Sequence, residues 1–578
     1  MINAELARAF ERIADLMEIS GGDRFRIQSY RRAARTLGDT TEDLVELAGQ
    51  GRLTDLPGIG KGAADRIKQF IDTGHIDVLD QLQEKLPTGL LALLGIQGMG
   101  PKKVAVAYDR LQVSTIDDLK KVIESGALAG LPGFGATSVS KIAESIAFLE
   151  TQAGRTPLGV ALPFAEAIAE QVRTLSGVKR VEIAGSLRRG AETIGDVDIL
   201  CEARDGQAVI RQFTEFAGVQ RVLAAGGTKA SVTMELKEGR ELQVDLRVVE
   251  ADAFGAALQY FTGSKEHNVR LRELAVRRKW RLNEYGLFDG DKSLAGRTER
   301  QIYEKLGLHW IPPELREDRG EFEAGADEPD LVAVEDIRGD LHVHTTASDG
   351  KNSIVEMAEA ARAIGYAYIA ICDHSQSATI ANGLSVERMR RHIKAIRAAD
   401  ENVRGITILV GSECDILPDG KMDYPDDLLA ECDWVVASIH SAMGSSGSRK
   451  LSPTERTLAA IENRYVCAIG HPTGRLILRR APMELDMSSI SEAAARTGTF
   501  LEINASWQRL DLKDLHVRQA LAAGVSLTIN TDAHRCEGLG QMRYGVLTAR
   551  RGGAGKQHVV NTLSLAALRK RIANKRGG

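Results

Sequence analysis

From Asp340 onward the chain is a succession of short apolar runs, each ending in polar groups: DLHVH, YIAICDHS, ILVGSE, VVASIH, CAIGHP, TFLEINAS and LTINTDAH. Helical stretches such as IVEMAEAARAIG and DDLLAEC lie between them. An apolar run of roughly four to seven residues is the pattern of a strand buried on both faces, as in a parallel sheet covered by helices. Strands alternating with helices predict a closed (β/α) barrel slightly smaller than the eight-stranded type, with the polar run ends meeting at one mouth. Upstream the period changes. DVDIL from Asp196 and LQVDLRVV around Asp245 alternate apolar and polar positions, the signature of half-buried strands. Residues 1–150 are helical and punctuated by an internal repeat: LPGIGKGAADRI from Leu56, IQGMGPKKVAVAY from Ile96 and LPGFGATSVSKI from Leu131.

The chemistry at the barrel's run ends is consistent. His342, His344, Asp349, His374, Glu413, His440, His471, Asp532 and His534 supply imidazoles and carboxylates and no thiolate. Such a set suits Zn, Mn or Fe ions acting as Lewis acids rather than a structural cysteine site. Nine ligands hold more than one ion, and a cluster of two or three is the arrangement that clamps a phosphoester. On these residues the segment from Asp340 to about Lys570 resembles the PHP phosphoesterase family, with its HxH, Asp, DHS, Glu, SIH, GHP and DxH elements in this order. The resemblance implies about three Mn or Zn ions, Glu413 as a bridging carboxylate and hydrolysis of a phosphoester. It leaves the substrate open, because the family contains small-molecule phosphatases as well as nucleases.

The repeat near the amino terminus bears on the substrate. Two glycines two apart let the backbone turn tightly and present N–H groups at a helix start, where the dipole favours an anion. Gly58 and Gly60, Gly98 and Gly100, and Gly133 and Gly135 therefore mark helix-hairpin-helix turns that grip DNA phosphates without reading sequence. GGDRFRIQSYRRAAR adds Arg24, Arg26, Arg31, Arg32 and Arg35 against Asp23, a further phosphate-binding candidate.

Between hairpins and barrel lies AGSLRRGAETIGDVDIL, Ala184 to Leu200. Asp196 and Asp198 point to one face of their strand while Val197 and Ile199 face the core, and Asp245 lies on the polar side of a second strand. Three adjacent carboxylates require divalent cations, and two Mg or Mn ions are what an in-line nucleotidyl transfer uses. Gly185, Ser186, Arg188 and Arg189 offer donors for the triphosphate. The GSxRRG and DVD elements, with YFTGSKEHNVRLR from Tyr260, resemble the family X DNA polymerases, the polymerase beta family. The resemblance implies that Tyr260 and Phe261 line the sugar pocket, that Gly263 belongs to the nucleotide site, that Asn268 touches the incoming nucleotide and that Arg272 touches the template minor groove. Where that family has an acidic residue against the incoming base this chain has Lys265, and at the position of the lyase lysine it has Arg66, with Lys61 and Lys68 nearby.

Composition narrows the reading further. Over 578 residues the net charge is -4, so affinity for nucleic acid must come from local patches. Six scattered cysteines without a CxxC suit free thiols in a reducing compartment. The amphipathic start INAELARAFERIADLMEI is neither a signal peptide nor a spanning helix. The expected protein is a soluble, cytoplasmic monomer acting on gapped or primer-template DNA and dNTPs. Its expected domains are a lyase-like helical domain at 1–85, a fingers-like hairpin domain at 86–155, a palm at 156–249, a thumb at 250–313, an acidic linker at 314–338 and a (β/α)7 PHP barrel at 339–578. The tail from Arg550 reads as a frayed end or a weak phosphate site. The function expected is short-gap filling in DNA repair, with a 3′–5′ exonuclease and abasic-site endonuclease in the barrel. The alternatives are a small-molecule phosphatase fused to an inactive nucleotidyltransferase and a catalytically dead DNA-binding scaffold; the repeated hairpins oppose the first and the complete ligand sets the second.

Overall fold

The computed structural model describes residues 2–40, 44–96, 98–151, 154–236, 240–323, 327–441 and 451–577. They form two compact units, Met1–Ala153 with Leu478–Ala481, and Gly154–Ile477 with Pro482–Gly578. Among the described residues no helix is long and apolar enough to cross a membrane. All six cysteines carry free thiols.

The first unit is helical, and each Gly-x-Gly turn works in the same way. The apolar residue between its glycines, Ile59, Met99 or Phe134, is buried in the helical core while the glycines stay at the surface. Gly58, Gly98 and Gly133 have φ of 80°, 93° and 86°, a region that L side chains rarely enter. Gly60 and Gly100 are the N-caps of Lys61–Thr73 and Pro101–Leu111, and a glycine cap brings no side chain to satisfy the first N–H groups of its helix.

In the second unit a five-stranded sheet runs Val178–Ile183, Asp196–Ala203, Glu241–Val249, Lys229–Glu235, Val219–Ala225. Alternation does what the pattern predicts: Val197, Ile199, Leu242, Val244 and Leu246 are buried. The parallel pairing of the two central strands puts Asp198 opposite Asp245. The helices Phe254–Thr262, Lys265–Arg277 and Glu299–Lys305 and a three-stranded antiparallel sheet follow. The acidic stretch expected as a spacer is packed over its first part. Arg316 is fully buried with Nη1 2.6 Å from Glu299 Oε1, and Leu315 and Phe322 join the thumb core. Residues 324–326 of that stretch lie outside the described residues. A charge count cannot show that an acidic segment meets a buried cation elsewhere in the chain.

The barrel consists of seven parallel strands, hydrogen-bonded in chain order from Gly339–Val343 to Leu527–Asn530. Its first and last strands meet through a parallel bridge between Val343 and Ala533, with the His344 N–H donating to the Ala533 carbonyl at 2.9 Å. Ile408, Val410, Val435, Leu501 and Ile503 face the helical layer. The opposite face carries Leu409, Trp434, Val436 and Phe500 low in the barrel, so Glu413, His440 and Glu502 project inward above an apolar floor. The basic tail is not frayed. Leu565–Arg576 is a helix whose Leu568 and Ile572 pack beneath that floor, and Arg550 pairs with Glu314 at 2.7 Å.

Candidate metal centre and nucleotidyl-transfer site

The nine barrel residues expected from the sequence are brought together. The ligand atoms of His344, Asp349, His374 and His534 lie within 4.8 Å of one another, as do those of His342, His344, Glu413 and Asp532, and those of His374, Glu413 and His440. Glu413 is central: Oε2 is 3.0 Å from His374 Nδ1 and 3.4 Å from His342 Nε2, while Oε1 is 3.2 Å from His440 Nε2 and 2.9 Å from His471 Nε2. His344 Nε2 stands 3.0 Å from Asp532 Oδ1, and His534 Nε2 3.3 Å from Asp349 Oδ1. Asp532 has φ 55°, a left-handed conformation that turns its carboxylate back toward the mouth.

Divalent ions fit this donor set. His342 Nε2, His344 Nε2, His374 Nδ1 and Glu413 Oε2 are buried and make no well-formed hydrogen bond. Buried polar atoms need partners, and donor atoms about 3 Å apart are spaced as neighbouring ligands of one ion bound at about 2 Å are. Burial alone would raise the Glu413 carboxyl, but His440, His342 and His374 hold it well below the usual carboxylate range. Asp532 is likewise held low against burial by His342, His344 and His534.

Behind the ligands stand carboxylates of which the sequence singles out Glu502, with Asn504 at the end of the run TFLEINAS, but not Asp415 or Asp373. Glu502 Oε1 lies 2.8 Å from His342 Nδ1, and its Oε2 accepts the His471 N–H at 2.7 Å. Asp415 Oδ1 is 2.5 Å from His440 Nδ1. Asp373 accepts the Thr345 N–H at 2.8 Å and lies 2.7 Å from His392 Nε2. Carboxylates that set the tautomer and orientation of ligating histidines are part of such a site. For Glu502 and Asp415 the one sequence signal is inward parity, two residues from a ligand or a strand end, which many structural acids share; Asp373, next to His374, has the opposite parity.

In the palm, Asp198 lies against the GS turn so closely that a Cβ at Gly185, which has φ +66°, would stand 2.5 Å from its Oδ2. Burial, and then Asp196 and Asp245, push the Asp198 carboxyl up to about 7. Asp245 moves the other way: against burial, Lys229 at 2.9 Å, Gln243 and Ser231 hold it low. Among the described residues the three palm carboxylates do not close into a group as tight as those of the barrel. Ser186 and the Arg189 guanidinium flank the same turn; Arg189 Nε is 3.1 Å from Glu317 Oε1 and its Nη1 donates to the Thr262 carbonyl at 2.5 Å. Arg188, expected as a phosphate donor, is instead engaged by both Glu299 oxygens at 2.8 Å and by Thr262 Oγ1 at 2.7 Å. The pair is nearly buried, and a bidentate guanidinium–carboxylate pair leaves little for a ligand.

Asn268 donates to the Tyr260 carbonyl at 2.7 Å and accepts from Gln259 at 2.7 Å. Tyr260 and Phe261 meet edge to face beside it, and the Arg247 guanidinium lies 4.1 Å from the centre of the Phe261 ring. Gly263 is the C-cap of Phe254–Thr262, and Arg272 lies on the next helix, Lys265–Arg277. In the hairpin unit Arg31 is tied to Asp15 and Glu18, a correction to its expected phosphate role, whereas Arg24, Arg26, Arg32 and Arg35 remain exposed. Arg66 donates to the Gly62 carbonyl and stands over the Tyr30 ring.

Comparison with known proteins covers nearly the whole chain. Residues 1–76 match a helix-hairpin-helix domain, 90–147 a SAM-like helix-hairpin-helix tandem, 157–251 the DNA polymerase beta palm, 257–317 the DNA polymerase beta thumb and 340–506 the PHP domain. The chain is 40% identical over 567 residues to the DNA polymerase/3′-5′ exonuclease PolX of Bacillus subtilis (strain 168), covering 98% of each. DNA polymerase lambda of Arabidopsis thaliana is 27% identical over 346 residues, 54% of this chain and 62% of that protein. A probable phosphatase of Thermoanaerobacter sp. (strain X514) is 27% identical over 231 residues, 39% of this chain and 89% of that protein. With a polymerase beta palm and thumb, paired helix-hairpin-helix domains and a PHP barrel in one chain, it belongs to the family X DNA polymerases that carry a carboxy-terminal PHP domain.

Proposed function

We propose that this chain is a DNA-directed DNA polymerase that fills short gaps during repair and whose PHP barrel removes 3′ nucleotides and incises abasic sites. The observation that carries the reading is the conjunction in one chain of three surface hairpins, a palm with Asp198 paired opposite Asp245, and a barrel mouth where nine ligands converge. The likeness to a probable phosphatase covers 39% of this chain, and the hairpins and palm are what point to DNA as the substrate.

In this reading Asp196, Asp198 and Asp245 hold two Mg or Mn ions, and Gly185, Ser186 and Arg189 hold the triphosphate. Tyr260, Phe261, Gly263 and Asn268 position sugar and base, Arg272 touches the template, and Gly58, Gly60, Gly98, Gly100, Gly133 and Gly135 present N–H groups to the DNA backbone. The barrel's nine candidate ligands would hold about three Mn or Zn ions, grouped around Glu413. When bound, these ions supply Lewis acidity and charge neutralisation for phosphoryl transfer. Imidazole-rich ligation favours Mn or Zn, while an all-carboxylate shell favours Mg. The protein is read as a cytoplasmic monomer.

Separation of function tests the assignment. Primer extension and primer degradation are measured with Mg and with Mn on Asp198→Ala and His344→Ala. Asp198→Ala should abolish incorporation and keep degradation; His344→Ala should do the reverse, each losing at least about 100-fold in its own activity, equivalent to several kcal/mol of lost electrostatic stabilisation. Wild-type degradation by His344→Ala would remove the nuclease from the barrel.

A further inference from the structure

The barrel reaches into the polymerase site. Arg551, the last residue of the helix Met542–Arg551, is almost buried and makes two kinds of contact at once. Its Nη1 donates to the Arg189 carbonyl at 2.7 Å and to Glu317 Oε1 at 2.8 Å; its Nη2 and Nε donate to Asp514 Oδ2 at 3.0 and 3.2 Å. The same Glu317 oxygen accepts from Arg189 Nε at 3.1 Å. Asp514 is further held by Arg319 at 2.9 Å. The turn after Arg189 rests on this helix, since a Cβ on Gly190 would meet Leu547 at 3.3 Å and Arg551 Cδ at 3.7 Å. A second clamp joins palm and barrel on the next residues of the turn, where Arg475, four residues beyond His471, pairs with Glu192 at 2.7 Å.

We infer that Arg551 is a positioning residue for nucleotidyl transfer: the barrel supplies the cation that fixes both the backbone and the guanidinium of Arg189. The inference rests on the reading of Arg189 as a triphosphate ligand. One carboxylate lies between two guanidiniums. With Arg551 present, the charge of Glu317 is shared and Arg189 keeps cationic character to offer a polyphosphate; without it, Glu317 becomes the private partner of Arg189 and competes with the nucleotide. The carbonyl contact acts in the same direction by holding the turn on which the side chain is mounted. A guanidinium is required because one planar fork must serve an oxygen of Glu317, an oxygen of Asp514 and a carbonyl together.

Steady-state incorporation on a gapped duplex tests this in the full-length protein. Arg551→Gln should raise KM for dNTP roughly tenfold, the scale of one charge-assisted hydrogen bond, with a much smaller change in kcat and an unchanged rate of 3′ degradation of a single-stranded primer. Arg551→Lys, which returns the charge but not the fork, should recover part of the loss. Glu317→Gln removes the competing carboxylate, so in that background Arg551→Gln should raise KM much less than it does alone, because both act through Arg189. Arg189→Ala separates the premises: wild-type KM in that variant overturns the triphosphate reading itself. A raised KM in Arg189→Ala beside an equal rise from Arg551→Gln with and without Glu317→Gln overturns the role of Arg551, and wild-type KM in Arg551→Lys does so even if Arg551→Gln proves too unstable to assay.

Discussion

A ligand histidine is only as good as the group behind it, and Glu502 shows why. Its two oxygens are divided between His342 Nδ1 and the His471 N–H, while Asn530 Nδ2 donates to it at 2.9 Å. The carboxylate thus fixes one ligand's tautomer and the backbone that carries another. Glu502→Gln preserves shape but removes the acceptor charge from a fully buried cluster, and an amide cannot accept from all these donors at once. The exonuclease should lose about 10- to 100-fold in metal affinity or turnover, measured by Mn titration of primer degradation, with incorporation unaffected. An unaltered Mn requirement would reduce Glu502 to a packing role. Asp415 orients His440 in the same manner, while Asp373 holds the Thr345 N–H, next to His344, and His392.

Each hairpin turn divides its work between a buried apolar residue and exposed glycines. At Gly133 the space is open, the nearest neighbour of an added Cβ being Lys103 Cε at 4.0 Å, but φ is +86°. Gly133→Ala should therefore cost about 1 kcal/mol through backbone conformation alone, read as a lower melting temperature. If the turn grips a phosphate, the same variant should bind DNA more weakly on all sequences and flatten the slope of log affinity against log salt by about 1. An unchanged slope with lowered stability would make that hairpin structural. The seven barrel strands follow a parallel logic: apolar on both faces within the sheet, they carry chemistry where the sheet ends.

At the scale of the molecule two candidate metal centres with different donor sets share one chain, and at each protons would compete with cations. In the palm, Asp198, pushed up to about 7 by burial and its neighbouring carboxylates, takes up a proton below that value, so the Mg requirement of incorporation should climb as pH falls below 7 and level off above it. In the barrel the imidazoles must be neutral to ligate. Burial disfavours charge on His534 and His440, yet Asp349 and Asp532 pull the first up to about 9, and Glu413 with Asp415 pulls the second up to about 10. The Mn requirement of the exonuclease should therefore keep easing from pH 7 to 9 after that of the polymerase has flattened; identical pH profiles for the two activities would refute the contrast. The sequence by itself determined the periodicities, and with them the barrel, the half-buried palm strands and the hairpins, because period and strand-end chemistry are local properties. It also named the nine barrel residues that fold together at the mouth and the palm carboxylates that face each other. Only the tertiary structure decided which charges are spoken for. Arg188 belongs to Glu299, Arg31 to Asp15 and Glu18, the supposed spacer to the thumb core, and the supposed frayed tail to the barrel floor and to Arg189. These partners lie far apart in the chain, and a side chain's charge carries no record of the neighbour that folding will give it.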